Sequence, residues 1–159
     1  MMMDTNTFMR QRVYIDTSVM GGYSDVEFET ATGQLFERIK NKEFDVYFSE
    51  VNDEELLFAP LHIKAVKNQI PSDCFHYIEI TEEAEKLAQL YIFEGALNGE
   101  SKNDAFHIAL ASLNRVDCLI SWNFKHIVNF NKIKTFNSIN MRYGYPLIDI
   151  RSPLEFLKI

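Results

Sequence analysis

This chain is poor in cysteine, in paired histidines, in basic charge and in long apolar runs, and each shortage excludes a class of protein. Its two cysteines, Cys74 and Cys118, have no zinc-site spacing and make no disulfide framework; Cys118 stands in an apolar run, where a small buried residue suits. Both are read as structural. The four histidines, His62, His76, His107 and His126, are scattered, and none pairs at metalloprotease spacing, which disfavours zinc. No apolar run approaches the roughly 20 residues that cross a membrane. The opening Met1-Met2-Met3-Asp4-Thr5-Asn6 has neither the basic flank nor the apolar core of a signal peptide, so a cytosolic (cytoplasmic) protein without membrane association is expected. Internal repeats, low-complexity tracts and Gly/Ser linkers are lacking as well.

The formal net charge of −7 argues against an unspecific nucleic-acid coat, yet the charge is unevenly spread. Residues 1–100 carry 8 Lys and Arg against 19 Asp and Glu, whereas residues 101–159 carry 8 against 4. In the basic part, Lys125, His126, Lys132, Lys134 and Arg142 interleave with Trp122, Phe124, Phe130 and Phe136. The pattern fits either a surface that meets phosphates and stacks on bases, or solvated lysines over core aromatics.

What is present is the composition of a soluble globular protein, 47% apolar and 25% charged over 159 residues. That length fits a single domain, 1–159, able to bury roughly two thirds of its unfolded surface, with residues 1–9 expected to be flexible. Short apolar, β-branched or aromatic runs at 12–16, 45–49, 75–80, 117–122 and 146–150 read as strands, and helical patterns lie between them. Ala31, Leu35, Phe36 and Ile39 mark one helix, stopping at Asn41-Lys42. A second is expected from Val51 to Phe58, broken by Pro60, with a further turn or two over 61–69. Thr81 caps a third, with Glu82, Glu83 and Glu85 in its first turn, running to about Leu97; Ser101 caps a fourth, running to about Leu113. The alternation predicts an α/β protein with three α/β/α layers and a mainly parallel five-stranded sheet.

Four polar positions then stand out. Asp16 closes the strand Val13-Tyr14-Ile15 and opens the turn Thr17-Ser18-Val19, where open α/β sheets place ligands. Glu55 follows the second strand within the cluster Glu50, Asp53, Glu54; Asp104 lies in the first turn of the Ser101 helix; Asn123 follows the fourth strand. In a parallel sheet these positions converge on one edge, as a carboxylate site for magnesium or manganese requires. Each also has a plain structural reading. Asp16 or Asn123 can cap a helix, and Asp104 can close a capping box with Ser101. Glu55 can belong to a solvated face, since the sequence does not separate it from Glu54. His107, three residues after Asp104, reads as a half-buried helix histidine or as a group that orients Asp104.

The segments Val13-Tyr14-Ile15-Asp16-Thr17-Ser18-Val19, Ser49 through Pro60, Asn103-Asp104-Ala105-Phe106-His107-Ile108-Ala109-Leu110-Ala111 and Asp117-Cys118-Leu119-Ile120-Ser121-Trp122-Asn123-Phe124-Lys125-His126-Ile127 together resemble a PIN-domain protein. The resemblance spans nearly the whole chain and is to small bacterial proteins of the VapC-like toxin type, in the branch with a Ser-Trp-Asn-Phe-Lys-His segment. It implies a PIN-like fold and a metal-dependent endoribonuclease, the toxin of a toxin–antitoxin pair. By position it implies that Asp16 and Asp104 hold Mg²⁺ or Mn²⁺, and that Glu55, placed by its spacing to Ala59-Pro60, holds the attacking water or a second ion. Asn123 stands where many members have aspartate; its oxygen can meet a metal but it brings no negative charge. RNA is the implied substrate, with Lys125, His126, Thr17 and Ser18 at the substrate-binding rim. A small antitoxin and a second copy of the chain are the implied partners. Two rivals remain: a PIN-like module that binds RNA or protein without cleaving, which Asn123 favours, and a phosphatase with Asp16 as nucleophile. The second is disfavoured because Ser18 occupies the position of that chemistry's second aspartate.

Overall fold

A computed structural model describes residues 9–159 of the protein; the expected flexibility of residues 1–9 falls outside the described residues, Met9 excepted. Five strands, β1 (Gln11–Ile15), β2 (Phe44–Ser49), β3 (Phe75–Ile78), β4 (Cys118–Ile120) and β5 (Ile150–Arg151), form one sheet in the order β3-β2-β1-β4-β5. Every pairing is parallel, with Val13 beside both Val46 and Cys118. The chain steps outward from β1 through β2 and β3, then returns to the other side of β1 for β4. The boundary between β1 and β4 is therefore the point where strand order reverses, and in open parallel sheets the ligand crevice lies there, beyond the carboxyl ends.

Helices cover both faces, which is why Val13, Tyr14 and Ile15 are all fully buried and read as an unbroken apolar run. Tyr14 and Leu119 face α5 (Glu82–Phe93), α6 (Lys102–Leu113) and α7 (Phe130–Arg142), packing with Leu87, Tyr91, Ile108 and Phe136. Val13, Ile15 and Ile120 face the opposite layer, where α1 (Thr17–Gly21), α2 (Glu29–Lys40) and α8 (Pro153–Leu157) supply Val19, Leu35, Phe36 and Phe156. Two shorter helices, α3 (Glu50–Leu56) and α4 (Leu61–Lys64), follow β2. The expected α/β/α layering is what the chain adopts.

Several expected boundaries are corrected. The third helix stops at Phe93 rather than Leu97, because Gly95 turns left-handed (φ 81°) and Ala96 and Gly95 donate back to Tyr91 and Ile92. The strand expected at 146–150 begins only at Ile150. Pro146 has no N–H, and the Asn137 side chain takes both backbone groups of Ile148, at 2.9 and 2.8 Å, in place of a ladder. Two helices, α7 and α8, had no counterpart in the sequence reading, and α1 takes up the helix start that the sequence left open after Asp16. Helix α7 buries only Phe136, Ile139 and Asn140. Asn140 is satisfied from three directions: it accepts from Tyr91 Oη (2.6 Å) and donates to Ser112 Oγ (3.0 Å) and the Pro146 carbonyl (2.8 Å).

The segment leaving β4 is clamped by its tryptophan. Trp122 Nε1 donates to Thr32 Oγ1 at 3.0 Å, and the indole stacks on Phe28 with ring centres 4.0 Å apart. Gly22 lies beneath; a Cβ there would collide with Thr32 Oγ1 and stand 2.7 Å from Trp122 Nε1. Gly22→Ala is therefore expected to cost about 1–3 kcal/mol in urea unfolding, as overpacking does. An unchanged midpoint would show that Trp122 is not held in this way.

Candidate active site

Asp16 continues the β1 ladder by one residue, its N–H donating to the Ile120 carbonyl at 3.2 Å, and then turns its side chain into the crevice. It stands at the N-cap position of α1, but its side chain accepts no backbone N–H there, so the carboxylate is not used for capping. Its carboxylate is 3% exposed. Oδ1 accepts from Ser18 Oγ at 2.5 Å and Oδ2 from Ser121 Oγ at 2.9 Å. Each serine also accepts a backbone N–H from the β4 exit, Ser18 from Trp122 and Ser121 from Asn123, both at 2.9 Å. The acid thus ties together the ends of β1 and β4. Burial pushes its pKa from 3.8 up to about 6; the charge of His107 and the two hydroxyls pull the other way, and Glu55 adds to the rise.

Glu55, in the last turn of α3, separates from its acidic neighbours by what it touches. Oε1 accepts from Thr17 Oγ1 at 2.6 Å and from His107 Nε2 at 2.7 Å, and Oε2 meets Asn103 Nδ2 at 3.4 Å. Glu54 is exposed. Burial acts to raise the Glu55 pKa, but the His107 bond and charge, with the Thr17 and Asn103 bonds, outweigh it and leave the pKa below the ordinary value. For His107, burial acts to lower the pKa, and Glu55 reverses it to a net rise, helped by Asp16 and Asp104. Both shifts describe one ion pair. The histidine is 1% exposed, not half-buried, and its partner is Glu55 rather than Asp104.

Asp104 lies one turn earlier on α6, half-buried. The expected capping box is absent: Ser101 makes no side-chain cap bond, and its hydroxyl donates to Asn98 Oδ1 instead. Asp104 Oδ1 accepts from Asn123 Nδ2 at 3.3 Å. The orientation of that amide is fixed, because Asn123 Oδ1 accepts the His126 backbone N–H at 2.9 Å. Asn123 therefore presents N–H to Asp104 and turns its oxygen to the turn that follows. Burial raises the Asp104 pKa, against the charges of His107 and His126.

Asp16 and Asp104 each lie within reach of the charges of Glu55 and His107, beyond the carboxyl ends of β1 and β4. Thr17 and Ser18 turn their hydroxyls to Glu55 and Asp16 rather than outward, Lys125 is exposed on the turn after Asn123, and His126 is half-buried beside it. Among the described residues no three His, Cys, Asp or Glu side chains stand close enough to cage a metal ion. The donors that can offer lone pairs are the hard oxygens of Asp16 and Asp104. Such a pair fits an ion that keeps most of its waters, as magnesium does, and does not fit zinc.

The sequence reading missed the groups behind these acids. Tyr14 Oη lies 2.6 Å from His107 Nδ1 and 2.7 Å from Ser49 Oγ. Buried Asn52 accepts from Ser49 and donates to the Ile15 carbonyl (3.1 Å) and Thr17 Oγ1 (3.2 Å). Ser49-x-x-Asn52 is a helix-start signal visible in the sequence, but the long-range bonds leave no local trace.

No family model matches the chain, and no curated protein matches its sequence. Among solved structures, the chain is similar to one in the crystal structure of VapBC2 from Rickettsia felis bound to a DNA fragment from their promoter. The TM-score is 0.55 at 13% identity, over 89% of this chain and 98% of that one. A toxin–antitoxin complex from Klebsiella pneumoniae aligns with a TM-score of 0.49 at 19% identity, over 72% of this chain and 88% of that one. The likeness to the first is one of fold: this chain has a PIN-like α/β/α fold with a five-stranded parallel sheet.

The folded protein keeps the Asp16 proton to a higher pH than the unfolded chain does, so this group lowers stability as pH rises from 3.8 to about 6. Asp16→Asn removes that charge. Relative to the parent, its unfolding free energy is expected to be about 1–3 kcal/mol larger, and the variant correspondingly more stable, at pH 8 than at pH 4. Thermal melts at the two pH values measure this, and an effect independent of pH would refute the buried charge.

Proposed function

We propose that this protein is a metal-dependent endoribonuclease that hydrolyses RNA phosphodiester bonds. The observation that carries the reading is the convergence of Asp16, Glu55 and Asp104 at the reversal point of the sheet, two of them with raised pKa values. Burial disfavours both charges, and a divalent cation held by these carboxylates would offset that cost. Asp16 and Asp104 would hold Mg²⁺ or Mn²⁺, which when bound polarises the phosphate and offsets its developing charge. Glu55 stays ionised and is aimed by Thr17 and His107. It takes a proton from the attacking water as the new phosphorus–oxygen bond forms, and the bond to the ribose oxygen breaks as that oxygen takes up a proton from solvent water. Lys125 and His126, on the turn beside Asn123, neutralise flanking phosphates. Ser18 and Ser121 keep Asp16 in place throughout.

The proposal extends to a cytoplasmic toxin restrained by a small antitoxin, and to a homodimer; the fold likeness to a VapBC complex supports this part. Among the described residues no helix is long and apolar enough to cross a membrane. A second reading, a PIN-like module that binds RNA or protein without cleaving it, is favoured by one observation: Asn123 meets Asp104 with an N–H where another carboxylate would add charge.

Titration calorimetry of Mn²⁺ with cleavage of a labelled RNA panel, on the parent and on Asp16→Asn and Asp104→Asn, tests both readings. Each variant is expected to stay folded, to lose detectable Mn²⁺ binding and to cut at least ~100-fold more slowly. A nuclease-free double variant that cuts at the parental rate would overturn the nuclease reading. Binding without turnover in the parent would establish the second.

A further inference from the structure

We propose that His107 is the positioning residue for Glu55, held from behind by the hydroxyl of Tyr14, so that this carboxylate is aimed from the core rather than by its own helix. The proposal rests on the nuclease reading only for what Glu55 does once aimed. On α3 the side chain of Glu55 is 27% exposed and stands in an acidic cluster with nothing local to select its rotamer. The imidazole arrives from 52 residues away, on α6, and makes one of its two shortest contacts.

The imidazole is itself fixed. Its other nitrogen meets Tyr14 Oη at 2.6 Å, the two rings stand edge to face with centres 5.5 Å apart, and both residues are closed off from water. The contacts form a closed ring: Glu55 to Thr17, Thr17 to Asn52, Asn52 to Ser49, Ser49 to Tyr14, Tyr14 to His107, and His107 back to Glu55. An ionised Glu55 can only accept, so His107 Nε2 carries a hydrogen and donates it to the carboxylate, whichever way the Tyr14 hydroxyl turns between Ser49 and His107 Nδ1. A neutral carboxyl, or a tautomer with no hydrogen on Nε2, breaks the circuit. Core filling alone would require none of these donors, and a leucine would serve it. The same helix that bears Asp104 thus also sets the aim of Glu55, through a side chain one turn further on.

The test uses the full chain. In histidine-¹⁵N-labelled protein, a protected Nε2–H resonance of His107 is expected, and it should shift in Glu55→Gln. On labelled RNA, His107→Asn, which leaves no donor at Nε2 reach, is expected to lower kcat about 30–100-fold with KM changed less than about twofold. His107→Gln, whose amide reaches the Nε2 position, should recover to within about tenfold of the parent. Equal losses in both variants with unchanged melting temperatures would overturn the proposal, as would a missing resonance or one indifferent to Glu55→Gln. A parent that cuts no RNA would sink the nuclease reading, while a resonance that moves in Glu55→Gln would still uphold the aiming of Glu55 by His107.

Discussion

The buried carboxylate of Asp16 is the constraint around which the crevice is built. Leaving it charged costs about 3 kcal/mol, from a rise of its pKa to about 6. The surroundings answer with hydroxyls rather than with a cationic side chain in direct contact. Ser18 and Ser121 each give their hydrogen to the acid and take a backbone N–H from the β4 exit. The polar groups at the ends of β1 and β4 are thereby satisfied through the acid, and the crevice exists as a shaped object only while those bonds hold. The carboxylate organises its own neighbourhood while burial disfavours its charge.

Glu55 is treated in the opposite way. Its pKa is depressed by a buried imidazole, and the fold spends Tyr14, Ser49, Asn52 and Thr17 on keeping that imidazole and its partner aligned. Three carboxylates within one electrostatic neighbourhood would ordinarily push one another towards protonation. Here burial raises two of them and the histidine lowers the third, so the three differ in their readiness to hold or accept a proton. Separation of this kind is how carboxylates in one site take different roles.

Much of this was legible in the sequence, and what was not has a common cause. The strands β1 and β2, the apolar stripe of α2 and the Thr81 cap of α5 are signals carried by neighbours along the chain. The positions of Asp16, Glu55, Asp104 and Asn123 relative to strand ends follow from the same local pattern. By contrast, α7 was invisible because a third of its buried face is Asn140, which becomes acceptable only after Tyr91, Ser112 and Pro146 arrive from elsewhere. Ser101 looked like a cap because its competitor, Asn98, lies in a short turn that the helical periodicity does not reveal. The role of His107 depends on Glu55, 52 residues distant, so no window of sequence contains both. Locally encoded elements could be read; polar groups whose partners are long-range could not.

Charge counting places Asn123 in this scheme. With the Glu55–His107 pair ionised, the state that the opposed shifts of its two partners favour, the three carboxylates and one imidazolium leave two negative charges at the crevice. On the proposed reading one divalent ion neutralises them. An aspartate at position 123 would add a third negative charge beside Asp104, in a place where burial already raises that acid, and would call for a second cation or a proton. The asparagine instead gives Asp104 a hydrogen bond and anchors the turn bearing Lys125 and His126 through its oxygen. On the proposed reading, Asn123 thus leaves a site backed by His107 with charge for one ion.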